Sequence, residues 1–442
     1  MSDQPLPRIL VLGASGLIGR FVTEDLRRCG FGVVGLARSF SPSQRRSPDD
    51  LELPIMALDA IALAELIRAR EIGVVVNCLG VLQDGLGSDT SAVHRDFVVR
   101  LLSAIRQSGR GVRLIHLSIP GAPEADRTAF STTKREAERL IARSGIPHAI
   151  LRPGFVIAPS AYGGSAMIRA LAALPFELPA KECATPFQPV TVEDVAATIA
   201  WLATRPLADE ATKAVSWDLM QQEPVRLGDV IDRFRVAFGT AQQPRVSLPK
   251  LLLDVGALAG DLASRLGWMS LMRSTAIAEL RRGVSGDPLA WMSATGIVPK
   301  RVNEVVGARG ASIQDKWFAR LYLVKALIIA SLVLFWVASG FIALVISFPA
   351  TTAILTQRGW PDAFAVPFAA ITSMMDISVG VLIAFRRTAA SGLGAGILLS
   401  LGYMAGCAIL TPDLWLEPLG ALVKTGPAIV LMLVALLILD NR

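Results

Sequence analysis

The chain has 442 residues, room for two or three domains, and 52% of them are hydrophobic while 18% are charged; soluble proteins carry about 25% charged residues. The shortfall is uneven, because charges recur every few residues from Met1 to Lys316 and nearly vanish from Leu321 onward, as in a soluble protein joined to a membrane protein. The net charge of +7 comes from scattered Lys and Arg with no basic helix interleaved with aromatics, which argues against nucleic acid and for a membrane surface or a phosphate-bearing ligand.

Cys29, Cys78, Cys183 and Cys407 lie far apart, and His94, His116 and His148 join no cysteine cluster. The spacing supports neither a disulfide framework nor a metal centre. The opening MSDQPLPRIL has no basic stretch followed by a long apolar run, so no secretory leader is expected and the first domain is expected to stay in the cytoplasm.

In chain order, Arg8–Gly13 reads as a strand, Leu17–Arg28 as a helix and Gly32–Arg38 as a second strand. Helix Ala60–Arg70, strand Val74–Leu79, helix Ala92–Gln107, strand Val112–Ser118, helix Ser131–Arg143 and strand His148–Leu151 continue the alternation. Strands apolar throughout, alternating with helices, predict α/β architecture: a doubly wound parallel Rossmann sheet. Val190–Ala203 reads as a helix entered at Thr191. A small α/β lobe follows, and its segment Pro249–Trp268 carries a narrow polar stripe (Lys250, Asp254, Asp261, Arg265) beside a wide apolar arc. That pattern fits either a helix on a bilayer surface or a lid over a cleft.

Four apolar stretches, about 326–348, 363–385, 389–410 and 419–439, predict an all-α four-helix transmembrane bundle. The expected domains are 1–205, 206–315 and 316–442. Lys316, Arg320 and Lys325 precede the first stretch, and Arg386-Arg387 separate the second from the third; Asp413 and Glu417 mark the other side, where Arg358 dissents. The bias predicts a multi-pass protein of a cell (inner) membrane, with soluble domain and both termini cytoplasmic.

The turn Gly13-Ala14-Ser15-Gly16-Leu17-Ile18-Gly19 lies between a strand and a helix. Glycines there let backbone approach a pyrophosphate, and the helix start offers free amides to its charge. At the end of the second strand stands Arg38, with no acid until Asp49. An arginine at that point favours the 2′-phosphate of NADP(H) over the bare ribose of NAD(H); Arg45 and Arg46 could assist.

The spacing of these glycines resembles the short-chain dehydrogenase/reductase superfamily. The resemblance implies that Asp59 meets the adenine and that Cys78, Leu79 and Gly80 line its ribose. It implies a catalytic position at Ser118 and a nicotinamide-flanking segment at Leu151-Arg152-Pro153-Gly154. Gln188 to Val195 is similar to a motif of the extended and atypical branches, and the chain looks closest to the branch containing the NAD(P)H-binding accessory subunit of respiratory complex I. The membrane segment is similar to DoxX-like domains. The superfamily's lysine is matched by Lys134, but its tyrosine, four residues earlier, is replaced by Phe130. A phenyl ring has no proton to exchange, so the usual acid for carbonyl reduction is missing. Ser131, Thr132 or Thr133 could substitute, and Tyr162 matches no familiar spacing. Hydride transfer to a flavin or quinone needs no such tyrosine.

Asp376, near the middle of the second apolar stretch, is costly at that depth and should find a partner, with Lys325 a candidate and Lys424 nearer the opposite face. It is either a functional membrane carboxylate or a structural pair. The resulting expectation is a membrane-embedded NADP(H)-binding oxidoreductase acting on a quinone or lipid. The alternative is a non-catalytic NADPH-bound sensor or assembly module with a membrane protein partner.

Overall fold

The computed structural model describes residues 6–41, 44, 47–85, 89–161, 163–270, 272–308, 310–416 and 421–439. Arg45, Arg46, Tyr162 and Glu417 lie outside them, as do the first residues of the expected fourth stretch. The chain divides into two units: residues 1–261 with 270–319, and residues 262–269 with 320–442.

In the first unit, β1 (Arg8–Leu12), β2 (Val33–Ala37), β3 (Leu51–Glu52), β4 (Ile72–Asn77), β5 (Arg113–Leu117) and β6 (His148–Pro153) are joined by a seventh strand, Ala214–Leu219. That last strand comes from beyond residue 205. Every pairing is parallel, in the order seventh, β6, β5, β4, β1, β2, β3. The chain winds outward from β1 to β3, then crosses back to place β4 on the other side of β1. The crevice between β1 and β4 is the topological switch where doubly wound sheets bind ligands.

Helices cover both faces, which is why the strands carry no polar alternation. Ile9 and Val11 face α1 (Leu17–Arg28) and helix Val192–Ala203, packing with Val22, Leu26, Val195 and Ile199. Leu10 and Leu12 face α2 (Ala60–Ala69), α3 (Phe97–Gln107) and α4 (Ala129–Ala142), against Leu63, Ile67, Leu101 and Ile141. The expected helix at 92–107 is a π-helical turn, Ala92–Asp96, running into α3. Thr191 caps its helix as expected, accepting from Asp194 N at 3.0 Å. The small lobe shares its core with the segment before it, Val230 and Phe234 packing with Leu171 and Phe187 from before residue 206.

The second unit is helical. Among the described residues, three helices are long and apolar enough to cross a membrane: Ile313–Ile346, Asp362–Ala384 and Ala389–Leu410. The fourth, Ala421–Leu437, has 17 described residues and falls short of that length. A separate helix, Phe348–Thr356, occupies the first link. The bundle core is built by Leu332, Trp336, Ile383, Leu393 and Met432. Small residues let these helices approach; a Cβ on Gly392 would lie 2.8 Å from Ile383 N. Arg358 is ion-paired with Asp413. Lys325 and Arg386 both donate to Leu439 O, at 3.0 and 3.1 Å. Asp376 accepts from the Tyr403 hydroxyl at 2.8 Å, so its partner is neither of the lysines considered from the sequence.

Candidate functional site

The site is built at the C-terminal edge of β1. The chain leaves that strand through Gly13 at φ +80°, a left-handed value natural only to glycine. The amides of Gly13 and Ala14 donate to Leu36 O at 2.9 and 3.2 Å, and Gly16 N donates to Gly13 O at 3.0 Å. A Cβ on Gly19 would press on the Gly13 carbonyl, and one on Gly13 would lie 3.1 Å from the Leu79 side chain. Gly16 provides no side-chain cap to α1, and the first turn holds no acid. The open amides and positive end of α1 therefore meet no competing carboxylate. This cradle fits the pyrophosphate of a dinucleotide.

Arg38 stands exposed just past β2. The acids that follow are engaged elsewhere. Asp50 is buried on Arg27 at 2.6 Å and accepts from Gly35 N at 3.2 Å, and Asp49 pairs with Arg8 and Arg70 at 3.5 and 3.3 Å. Glu52 accepts from Phe40 N at 3.0 Å. Asp59 caps α2 by accepting from Ala62 N at 2.8 Å.

Across the crevice, Asn77 ties the ends of β4 and β5 together. Its amide donates to His116 Nδ1 at 3.1 Å, and its oxygen accepts from Leu79 N at 3.1 Å. Burial pushes the Cys78 thiol up to about 12, against the pull of Lys134. Lys134 is buried, donating to Leu79 O at 3.2 Å and Leu117 O at 2.9 Å. Desolvation lowers its pKa to about 8, opposed by Cys78 and Glu138. An ammonium has three donors, so one is left for a ligand. Ser118 adjoins Leu117 at the end of β5.

Phe130 sits one turn before Lys134 and packs edge-on against His94, with ring centroids 5.6 Å apart. Val81 N donates to His94 Nε2 at 3.1 Å, so the proton belongs on Nδ1, 2.8 Å from Thr133 Oγ1. Thr133 in turn donates to Ala129 O at 2.7 Å. Burial and the Lys134 charge lower the His94 pKa to about 3, so the ring stays neutral. Ser131 is engaged with Thr128 in the capping box of α4, and Thr132 is exposed. Of the three hydroxyls considered as stand-ins for tyrosine, two are thus committed to local bonds.

A buried ion network flanks this wall, invisible to the sequence because its members come from separate elements. Arg152 grips Glu138 with two bonds, 2.9 and 2.7 Å. Arg135 bridges Glu138 and Asp126 at 3.1 and 2.9 Å, and Arg282 reaches Asp126 at 2.7 Å. Burial works against the Glu138 charge, yet the bonds from Arg152 and the Arg152 and Arg135 charges hold its pKa below the usual carboxylate range. Burial raises the Asp218 pKa despite the neighbouring Arg152. Only the Arg135–Glu138 spacing, one helical turn, could have signalled any of this.

The structure thus gathers Gly13 to Gly19, Cys78 to Gly80, Ser118 and Lys134 along one edge, with Arg38 and Pro153 at the ends of β2 and β6. Asp376 belongs to the other unit. A glycine-rich cradle at a sheet switch point, with a buried lysine beside Gly80, is the arrangement of a Rossmann dinucleotide-binding domain, here followed by an apolar helical bundle.

Comparison with known proteins agrees. Residues 9–213 match the NAD dependent epimerase/dehydratase family and residues 333–433 the DoxX-like family. Over these stretches the chain is similar to an NAD dependent epimerase/dehydratase domain and to a DoxX-like domain. A dTDP-4-dehydrorhamnose reductase of Streptomyces griseus is 30% identical over 158 residues, covering 32% of this chain and 47% of that protein. A 3-diazoavenalumate denitrifying reductase of a Streptomyces species is 30% identical over 194 residues, covering 37% of this chain and 62% of that protein. The chain thus spans about half to three fifths of the length of these curated relatives. The fold is shared with UDP-glucuronic acid 4-epimerase of Bacillus cereus, in complex with UDP-glucuronic acid and NAD, at TM-score 0.51 and 15% identity over 71% of this chain and 99% of that chain. UDP-glucose 4-epimerase of Thermotoga maritima gives TM-score 0.50 and 15% identity over 72% of this chain and 99% of that chain.

Proposed function

We propose that this chain is a membrane-anchored NADP(H)-binding oxidoreductase of the atypical short-chain dehydrogenase type, acting on a membrane-associated acceptor such as a quinone or a lipid. The observation that carries the reading is Lys134, buried on Leu79 O and Leu117 O beside Gly80, with Phe130 at the acid position. When bound in reduced form, the dinucleotide supplies a hydride.

The chain's own residues bind and orient it. The amides at the start of α1 take the pyrophosphate, and Arg38 takes the 2′-phosphate, since Asp49 and Asp50 are held by other arginines. Lys134 turns its remaining donor to the ribose. Asp59, Cys78, Leu79 and Gly80 would line the adenosine, and Pro153 the nicotinamide. No group at the Phe130 position delivers a proton, because His94 is held neutral with both nitrogens engaged. An acceptor that takes its proton from water suits such a site; a ketone that needs a positioned acid does not.

Phe130 also favours a second reading, a non-catalytic NADPH-bound sensor or assembly module for a membrane partner. Purified protein assayed for NADPH oxidation with quinone analogues separates the two. The oxidoreductase reading predicts turnover in the unaltered chain. Bound cofactor without turnover, joined to a gain of carbonyl reduction in Phe130→Tyr, would leave the module reading standing.

The membrane orientation proposed is both termini in the cytoplasm of a cell with this protein in its inner membrane. Lys325 and Arg386 collect at one end of the bundle, at Leu439. Arg358, the dissenting cation, is neutralised by Asp413 at the other.

A further inference from the structure

The helix Lys250–Arg265 has an unusual distribution of side chains. Its inner face, Leu253, Ala257 and Gly260, is buried in the first unit. Its outer face is also apolar: Leu251 is 71% exposed, Leu258 66% and Leu262 59%, with Leu252 and Val255 beside them. No charged side chain interrupts that outer arc. The two acids of the helix turn away from it, Asp254 to Arg281 and Asp261 to Arg273, both at 3.0 Å. Exposed Lys250 and Arg265 stand at its two ends. What the helix offers outward is therefore leucine flanked by cations.

The chain that continues this helix, residues 262–269, is part of the membrane unit. Arg386 N donates to Leu266 O at 3.0 Å, Trp268 Nε1 donates to Ala384 O at 2.7 Å, and the Arg386 guanidinium lies 5.6 Å from the Trp268 ring centre. Ala384 ends one apolar span and Arg386-Arg387 lead into the next. A tryptophan and two arginines at the end of a span mark the headgroup level of a bilayer. The helix ends at that level.

We propose that the outer face of Lys250–Arg265 lies in the headgroup region of an anionic lipid bilayer, as a second, interfacial attachment beside the spanning helices. Leucines enter the acyl boundary while Lys250 and Arg265 meet lipid phosphates, the arrangement of an in-plane amphipathic helix. This resolves the two readings of the segment in favour of lipid over a lid, and it rests on the reading that the C-terminal helices span a membrane.

The test uses the full chain in vesicles containing phosphatidylglycerol, with native cysteines replaced and single cysteines placed at Leu251→Cys or Leu258→Cys, each carrying an environment-sensitive fluorophore. Native Cys29, exposed on the soluble unit, serves as the aqueous control, and Leu398→Cys, exposed on a span, as the lipid control. The proposal predicts quenching of both helix labels by shallow spin-labelled lipid and loss of quenching by aqueous iodide. Iodide quenching without lipid quenching, while Leu398→Cys is lipid-quenched, overturns it. Shielding from both quenchers overturns it too, in favour of a lid or a second copy. Failure of Leu398→Cys itself to meet lipid overturns the spanning reading instead, and the inference with it. In the unaltered chain, photoactivatable phosphatidylglycerol should crosslink within residues 251–262; absence of such crosslinks, with spans crosslinked, contradicts the proposal.

Discussion

Two residues carry the chemistry proposed for the crevice, one by what it keeps and one by what it lacks. Lys134 keeps its amine buried, with a pKa lowered to about 8 by desolvation. Its charge fades as pH rises through that value, so affinity for the dinucleotide should fall between about pH 7 and 9. Titration of NADPH binding against pH checks this, and affinity flat across that range would remove Lys134 as a charged clamp. Stability runs the other way, because the unfolded lysine holds its proton up to its model value of 10.5. Between about 8 and 10.5 the unfolded state binds more protons, so this group's contribution rises with pH. Glu138 has the opposite sign. Its folded pKa is depressed, so its contribution is full above the unfolded value near 4.5 and is lost as pH falls through the lower folded value. Glu138→Ala leaves Arg135 and Arg152 without their shared carboxylate and should cost about 3 kcal/mol, read as a drop in melting temperature; an unchanged melting temperature would show the network to be energetically idle.

At the scale of elements, what was legible in the sequence followed local periodicity. Leu17–Arg28 is found with both expected ends, because its apolar positions repeat at helical spacing and a glycine precedes it. The strands were legible as apolar runs, and Thr191 as a cap. The apolar pattern places the end of the first span near 348, yet a π-helical turn, Ile342–Ile346, precedes a break at Ser347 and a new helix, Phe348–Thr356. Hydrophobicity runs through that break, so composition could not mark it. The seventh strand, from beyond residue 205, was equally hidden, since only tertiary pairing with β6 makes it part of the main sheet.

Partners across elements were illegible for the same reason. Asp376 was singled out by depth alone, and Tyr403 lies 27 positions away on the next span. Removing that acceptor in Asp376→Ala should loosen the bundle by about 1 kcal/mol, whereas Asp376→Asn retains an oxygen for the hydroxyl and should keep the melting temperature. Equal stability of both variants and the parent would sink the pairing. Loss of activity in Asp376→Asn alone would identify a proton-carrying carboxylate.

At the scale of the whole molecule, the chain joins two kinds of stability. The first unit buries a parallel sheet between two helical layers, and the bundle buries little inside and exposes apolar side chains outward, as Leu334, Leu398 and Ile409 do. Such a surface is stable only in lipid or detergent. The family matches over 9–213 and 333–433 fall one within each unit. The central proposal is that the first unit holds a dinucleotide and prefers the phosphorylated form. Calorimetric titration of the full chain in detergent with NADPH and NADH tests it most directly. The account predicts binding of both, with NADPH tighter by about tenfold, or about 1.4 kcal/mol, and that preference lost in Arg38→Ala. Equal affinity for the two, unaffected by Arg38→Ala, would contradict the preference, and binding of neither would contradict the account.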